Sequence, residues 1–184
     1  EESGLGIEVL KEWKRFWVLS AWQVIVERYP CLGENIRTST WAYAFRSFLG
    51  MRNFCMETED GERIAYANTY WTYINAENGL PVKLTERDTA GYEMEEKLDM
   101  DYAPRKIILP GEYEQQEAFA VQKHHLDTNH HVNNAQYVDI AREAVPCTKM
   151  VKEIRADYKK AAVLGEVLIP RVTNTGKDEW TVVL

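Results

Sequence analysis

With 184 residues, 45% of them hydrophobic, the chain has enough apolar material for a real core, which argues against intrinsic disorder. Its formal charge of -7 repels a phosphate backbone at long range, so generic nucleic-acid binding is not expected. Apolar runs such as Trp17 to Trp22 fall far short of the roughly 20 residues a membrane helix needs, so no membrane span is expected either.

The start, Glu1-Glu2-Ser3-Gly4, lacks a basic stretch followed by an apolar one and has no initiator Met. No secretory signal is read there, and the natural start is expected to be missing. Cys31, Cys55 and Cys147 have no CxxC spacing and leave one thiol over in any disulfide scheme. That usage suits a reducing compartment: bacterial cytoplasm, or plastid stroma if a transit peptide has been removed.

Along the chain, Ile7, Val9, Leu10 and Trp13 recur at the three- and four-residue spacing of an amphipathic helix. Four segments rich in β-branched and aromatic residues predict strands near Trp17 to Tyr29, Asn35 to Arg46, Leu49 to Thr58 and Arg63 to Ile74. Pro30 to Gly33 and Asp60-Gly61 supply turns between them. From Asn75 to about Glu117 the chain is charged and interrupted by Gly and Pro, which reads as a connector. A short strand over Ala118 to His124, a polar turn and a helix over about Asn133 to Ala144 follow. Strands near Met150 to Tyr158, Glu166 to Thr173 and Glu179 to Leu184 complete the pattern.

Leu32-Gly33-Glu34 returns as Leu164-Gly165-Glu166, and the same offset lays the helix at 133 to 144 over the one read near the start. The chain is therefore expected to hold two related halves, 1-84 and 118-184, joined by a linker over 85-117. By that comparison the first half lacks its opening strand and the second stops about one strand early, so truncation at both ends is expected. The fold class expected is α+β, a tandem (double) hotdog in which each half wraps a curved antiparallel sheet around a long helix.

Chemistry concentrates in His124 to Glu143. In an extended conformation Asp127, Asn129 and His131 would alternate onto one side, bringing a carboxylate, an amide and an imidazole together. Asn133 and Asn134 are good N-cap residues for the helix beyond, whose first-turn N-H groups suit an oxygen that turns negative during acyl transfer.

The run Asp127-Thr128-Asn129-His130-His131-Val132-Asn133-Asn134, with Tyr137 and Glu143 beyond, resembles the D-x-N-x-H-V-N-N-x-x-Y motif of plant and bacterial acyl-ACP thioesterases. In the first half Trp17-Val18-Leu19, Arg28-Tyr29-Pro30, Gly33-Glu34, Thr40-Trp41 and Trp71 resemble the family's landmarks in the same order. The resemblance implies hydrolysis of fatty acyl-ACP to free fatty acid, with acyl carrier protein as partner and the tandem hotdog as fold. It implies no cofactor, since the phosphopantetheine belongs to the substrate. By position, Asp127 resembles the catalytic carboxylate, Asn129 an orienting amide and His131 the imidazole, with Asn133, Asn134 and Glu143 as supporting candidates. Plant members carry a Glu-Cys pair on the following strand, where this chain has Ala161-Ala162.

Other readings stand beside these. The alternative functions are an acyl-CoA thioesterase and a non-catalytic acyl-binding hotdog module. Adjacent histidines in a strand point to opposite faces, so His124, His125, His130 and His131 are not expected to form a metal site. Lys149, Lys152, Arg155, Lys159 and Lys160, with Lys11, Lys14 and Arg15, are where an acidic carrier protein would dock. A homodimer stays open, because a tandem hotdog supplies its own pseudo-partner.

Overall fold

The computed structural model describes residues 4–184. They form two compact units, one of residues 4–107 with Val151–Tyr158, the other of Ile108–Met150 with Lys159–Leu184.

The first unit opens with helix α1 (Ile7–Glu12), continues through strands β1 (Arg15–Val26), β2 (Ile36–Arg46), β3 (Leu49–Thr58) and β4 (Arg63–Asn75), and adds the short helix α2 (Glu86–Thr89). The four strands coincide with the β-branched and aromatic runs of the sequence, and the turn at Asp60-Gly61 closes one hairpin with Gly61 at φ 83°. A fifth strand, β7 (Glu153–Asp157), completes an antiparallel sheet of order β2-β3-β4-β1-β7. Trp17 and Tyr73 are cross-strand partners with rings 4.7 Å apart, and Tyr73 and Ile64 are fully buried.

Residues 153–157, in the strand read near 150 to 158, pair with Ala21 to Ile25 and satisfy the otherwise open edge of β1. Two expectations are corrected. No long helix is wrapped in the first unit among the described residues: α1 spans six residues and buries none of them. Residues 85 to 107, read as part of a linker, belong to the first unit.

The reason for the last difference is a row of side chains. Arg155, Gln23, Asn68, Asn53 and Trp41 stand opposite one another in register across β7, β1, β4, β3 and β2. Residues paired in this way point to the same side of a sheet. Trp41 Nε1 donates to Glu96 O at 2.8 Å, and Asn53 Oδ1 accepts from Leu98 N at 3.0 Å. Gln23 accepts from Ala103 N at 2.9 Å and donates to Asp101 O at 3.0 Å, while Arg155 donates to Pro104 O. An extended strap over 96–104 is thus held through its backbone, so it carries no apolar period for sequence reasoning to find.

In the second unit are β5 (Glu114–Gln115), β6 (Phe119–Ala120), a 3-10 turn at Lys123–His125, α3 (Asn134–Ala144), β8 (Val167–Leu168), β9 (Arg171–Gly176) and β10 (Glu179–Val183). Strands β10, β9 and β5 form one antiparallel sheet, and β6 pairs with β8 in another. The strand expected over Ala118 to His124 is cut to two residues because the chain turns into the 3-10 segment. Val121, Val132 and Ala162 form a buried cluster against which Leu126, Tyr137 and Leu168 pack. This cluster supports the segment that carries the polar motif.

Candidate active site

The motif folds as a tight hairpin turn. Leu126 and Val132 bridge antiparallel, Asp127 N donates to His131 O at 2.8 Å, and His130 N donates to Asp127 O at 3.1 Å. His130 takes the left-handed conformation, φ 62°, that closes such a turn. Asp127 Oδ1 accepts from Asn129 N at 2.8 Å and from His131 N at 3.2 Å. Aspartate favours this self-capping over an extended course because it satisfies two N-H groups locally. Asp127, Asn129 and His131 are therefore brought together, but by a turn folded around the carboxylate rather than by alternation along a strand.

That geometry sets the charge state of Asp127. Partial desolvation, the largest single influence, pushes its carboxyl up; the amides of Asn129 and His131, the Asn129 side chain and the charge of His131 together outweigh it. The carboxyl consequently lies below its ordinary value and stays ionised at neutral pH. Asn129 and His131 are exposed to solvent.

Beyond the turn, Asn133 caps α3: its Oδ1 accepts from Ala135 N at 2.8 Å, and its carbonyl accepts from Gln136 N at 2.9 Å and Tyr137 N at 3.4 Å. The amides of residues 135 to 137 are thus already engaged, which corrects the expectation of a fully open first turn. Glu143 does not join the turn. It lies nine positions along α3 from Asn134, about 14 Å at 1.5 Å per residue, and lines a separate cavity with His124 and His125.

The segment carrying Ala161 and Ala162 runs alongside. His131 bridges Val163, Val132 N donates to Ala162 O at 2.9 Å, and Ala162 N donates to Tyr137 Oη at 2.7 Å. Continuing the antiparallel register by two residues puts position 161 on the side of His131. Ala161 and Ala162 line a cavity of about 360 Å³ together with Tyr137, Lys160, Glu166 and Leu168. Sequence reasoning missed Tyr137 as a brace for this segment, since a tyrosine on a helix face reads as core.

Residues 1–92 match the model of the acyl-ACP thioesterase N-terminal domain, and residues 110–180 that of the acyl-ACP thioesterase C-terminal domain. The chain belongs to the acyl-ACP thioesterase family. It is 31% identical over 144 residues to the chloroplastic acyl-(acyl-carrier-protein) hydrolase FATB2 of Cuphea viscosissima, covering 71% of this chain and 33% of that protein. It is 23% identical over 164 residues to FATB1 of the same plant, covering 83% and 39%. The chain thus spans between a third and two fifths of these curated relatives.

Among solved structures, an acyl-ACP thioesterase from Bacteroides thetaiotaomicron superposes with a TM-score of 0.86 at 23% identity, over 98% of this chain and 74% of that one. The 12:0-ACP thioesterase from Umbellularia californica gives 0.79 at 21% identity, over 95% and 74%. These acyl-ACP thioesterases have the hotdog fold, and this chain shares it.

The basic residues named for carrier docking are largely tied within their own units. Lys149 pairs with Asp178 at 2.7 Å and Lys160 with Glu166 at 2.9 Å. Lys152 donates to Glu27 O, and Arg155 holds the strap.

Proposed function

We propose that the protein containing this chain hydrolyses the thioester of fatty acyl-ACP and releases free fatty acid. The observation that carries this reading is the turn in which Asp127, held ionised, is folded against Asn129 and His131. A carboxylate already accepting two amide hydrogen bonds, with its pKa depressed, is a poor proton acceptor but a good fixed negative charge. Asp127 accordingly supplies a fixed negative charge beside His131, and His131 moves the proton. The imidazole takes a proton from water as the oxygen attacks the thioester carbon. The tetrahedral intermediate then expels the thiolate, which receives that proton as the C-S bond breaks and the acid is released.

A reducing compartment, bacterial cytoplasm or plastid stroma, suits three unpaired cysteines. None of the described helices is long and apolar enough to cross a membrane. The acyl-CoA alternative shares the site and differs only in the carrier. The test is fatty acid release by the full-length protein from matched acyl-ACP and acyl-CoA substrates, with Asp127→Asn and His131→Ala alongside. Turnover falling about a hundred- to ten-thousand-fold in either variant supports the mechanism. Undiminished rates in both would overturn it, and equal kcat/KM on the two carriers would favour the alternative.

A further inference from the structure

Tyr137 lies in the first turn of α3, and its ring and its hydroxyl meet different partners. The ring packs against the buried cluster of Val121, Val132 and Ala162, beside Leu126 and Leu168. Its hydroxyl accepts from Ala162 N at 2.7 Å. Packing needs only the ring, which phenylalanine would supply equally well; the oxygen serves the backbone of the neighbouring segment.

That segment is held from both sides. Ala162 is 6% exposed, so its amide must find an acceptor within the protein. While its N-H donates to Tyr137, its carbonyl accepts from Val132 N at 2.9 Å, and the next residue, Val163, bridges His131. Tyr137 is itself tied to the same stretch, because Asn133 O accepts from Tyr137 N at 3.4 Å. The path from Val132 through Asn133 to Tyr137, across the hydroxyl to Ala162 and back to Val132 therefore closes a ring of covalent and hydrogen bonds, with His131 at its edge.

The ring matters because the pairing beside His131 is short. His131 and Val163 form an isolated bridge rather than part of a strand ladder. Few ladder bonds fix its register, and a slip by one residue would turn each side chain of the segment to the opposite side. A hydroxyl that accepts from one particular amide selects one register. In that register His131 N donates to Asp127 Oδ1 at 3.2 Å, next to the bond from Asn129 N at 2.8 Å. Resting on the thioesterase reading above, we infer that the Tyr137 hydroxyl is a positioning group for hydrolysis: by fixing Ala162 it holds His131 in the Asp127 turn. Its bond is to a backbone amide, so it acts through His131 rather than on the thioester.

The test compares Tyr137→Phe with Leu168→Ala in the full-length protein. Tyr137→Phe keeps the ring and removes one oxygen; Leu168→Ala strips packing from the same cluster and keeps the hydroxyl. Misplacing a catalytic group by about 1 Å costs roughly a hundredfold in rate. In Tyr137→Phe, kcat on fatty acyl-ACP should therefore fall about tenfold or more with KM within about twofold. Leu168→Ala should keep kcat within about twofold of the wild type while losing at least as much Tm. Hydrogen exchange followed by mass spectrometry, with no substrate present, should speed up in Tyr137→Phe over both 160–164 and 127–132. An unchanged kcat, an equal loss of kcat in Leu168→Ala, or faster exchange confined to 160–164 overturns the positioning role. No fatty acid release by the wild type from any carrier would sink the thioesterase reading; loosening of both stretches would still establish that Tyr137 holds the His131 turn.

Discussion

Glu34 and Glu166 brace the same turn twice, 132 residues apart. Glu34 Oε2 accepts from Cys31 N at 2.8 Å while Arg28 pairs with the same carboxylate; Glu166 Oε2 accepts from Val163 N at 3.0 Å while Lys160 pairs with it. In each turn the glutamate amide closes back on a carbonyl three residues earlier at 3.1 Å, past a glycine at φ 86° or 82°. The repeat visible as Leu-Gly-Glu is therefore a repeat of hydrogen-bonding geometry, with the basic partner six residues ahead in both copies.

The first prediction concerns acid stability. Chiefly because of its hydrogen bonds with Arg28, and also because of the Cys31 amide, the Glu34 carboxyl falls from the ordinary 4.5 to about 2. A carboxyl lowered on folding contributes stability that is fully present above its unfolded value and lost as pH falls through the folded one. Glu34→Gln should lower Tm at pH 7 and flatten the fall in Tm between about pH 4.5 and 2. Thermal melts across that range check this, and an unaltered profile would rule out the clamp.

Asp127 gives a prediction for the rate profile. With its carboxyl below the ordinary value, Asp127 should not be the group whose protonation sets an acid limb of kcat/KM close to neutral pH. Asp127→Glu, which keeps the charge and moves the oxygen, should lower kcat with little movement of that limb. A limb displaced to the carboxylate range in the variant would reassign proton transfer to residue 127.

Ala161 is exposed and lines a cavity of about 360 Å³, so a carboxylate should fit there without displacing the core. Ala161→Glu should change Tm little in thermal melts. Severe unfolding would mean that the side chain at 161 is directed into the core.

The strap makes a backbone-specific prediction. Leu98→Pro and Ala103→Pro remove N-H groups that Asn53 and Gln23 accept; the second leaves the buried Gln23 oxygen without its donor at a cost of about 1–3 kcal/mol, while Asn53 Oδ1 keeps only the Tyr102 hydroxyl. Trypsin should then cut after Arg105 or Lys106 far faster than in the wild type. Leu98→Ala should stay protected, and equal cutting of the alanine and proline variants would refute recognition through the backbone.

Gly50 tests packing alone. A Cβ there would lie 3.1 Å from the Trp17 ring and 3.2 Å from Phe45. Gly50→Ala should therefore destabilise the first unit by about 1–3 kcal/mol, as overpacking usually does. Denaturant unfolding of the purified variant measures it.

The sequence by itself determined the strands β1 to β4, the helix over 134 to 144, the repeated turn and the placing of Asp127, Asn129 and His131 in one segment. Periodicity, turn chemistry and N-cap preference act over a few residues and can be read from them. Only tertiary structure decided that 153–157 joins the first sheet, that 96–104 is held by the row from Trp41 to Arg155, and that the Asp127 carboxylate turns onto its own backbone. The first two depend on partners about 50 to 130 residues away whose pairing leaves no period in the chain. The third depends on which hydrogen bonds a short polar run can close locally, and that choice was made once Leu126 and Val132 were pinned by the cluster beneath them.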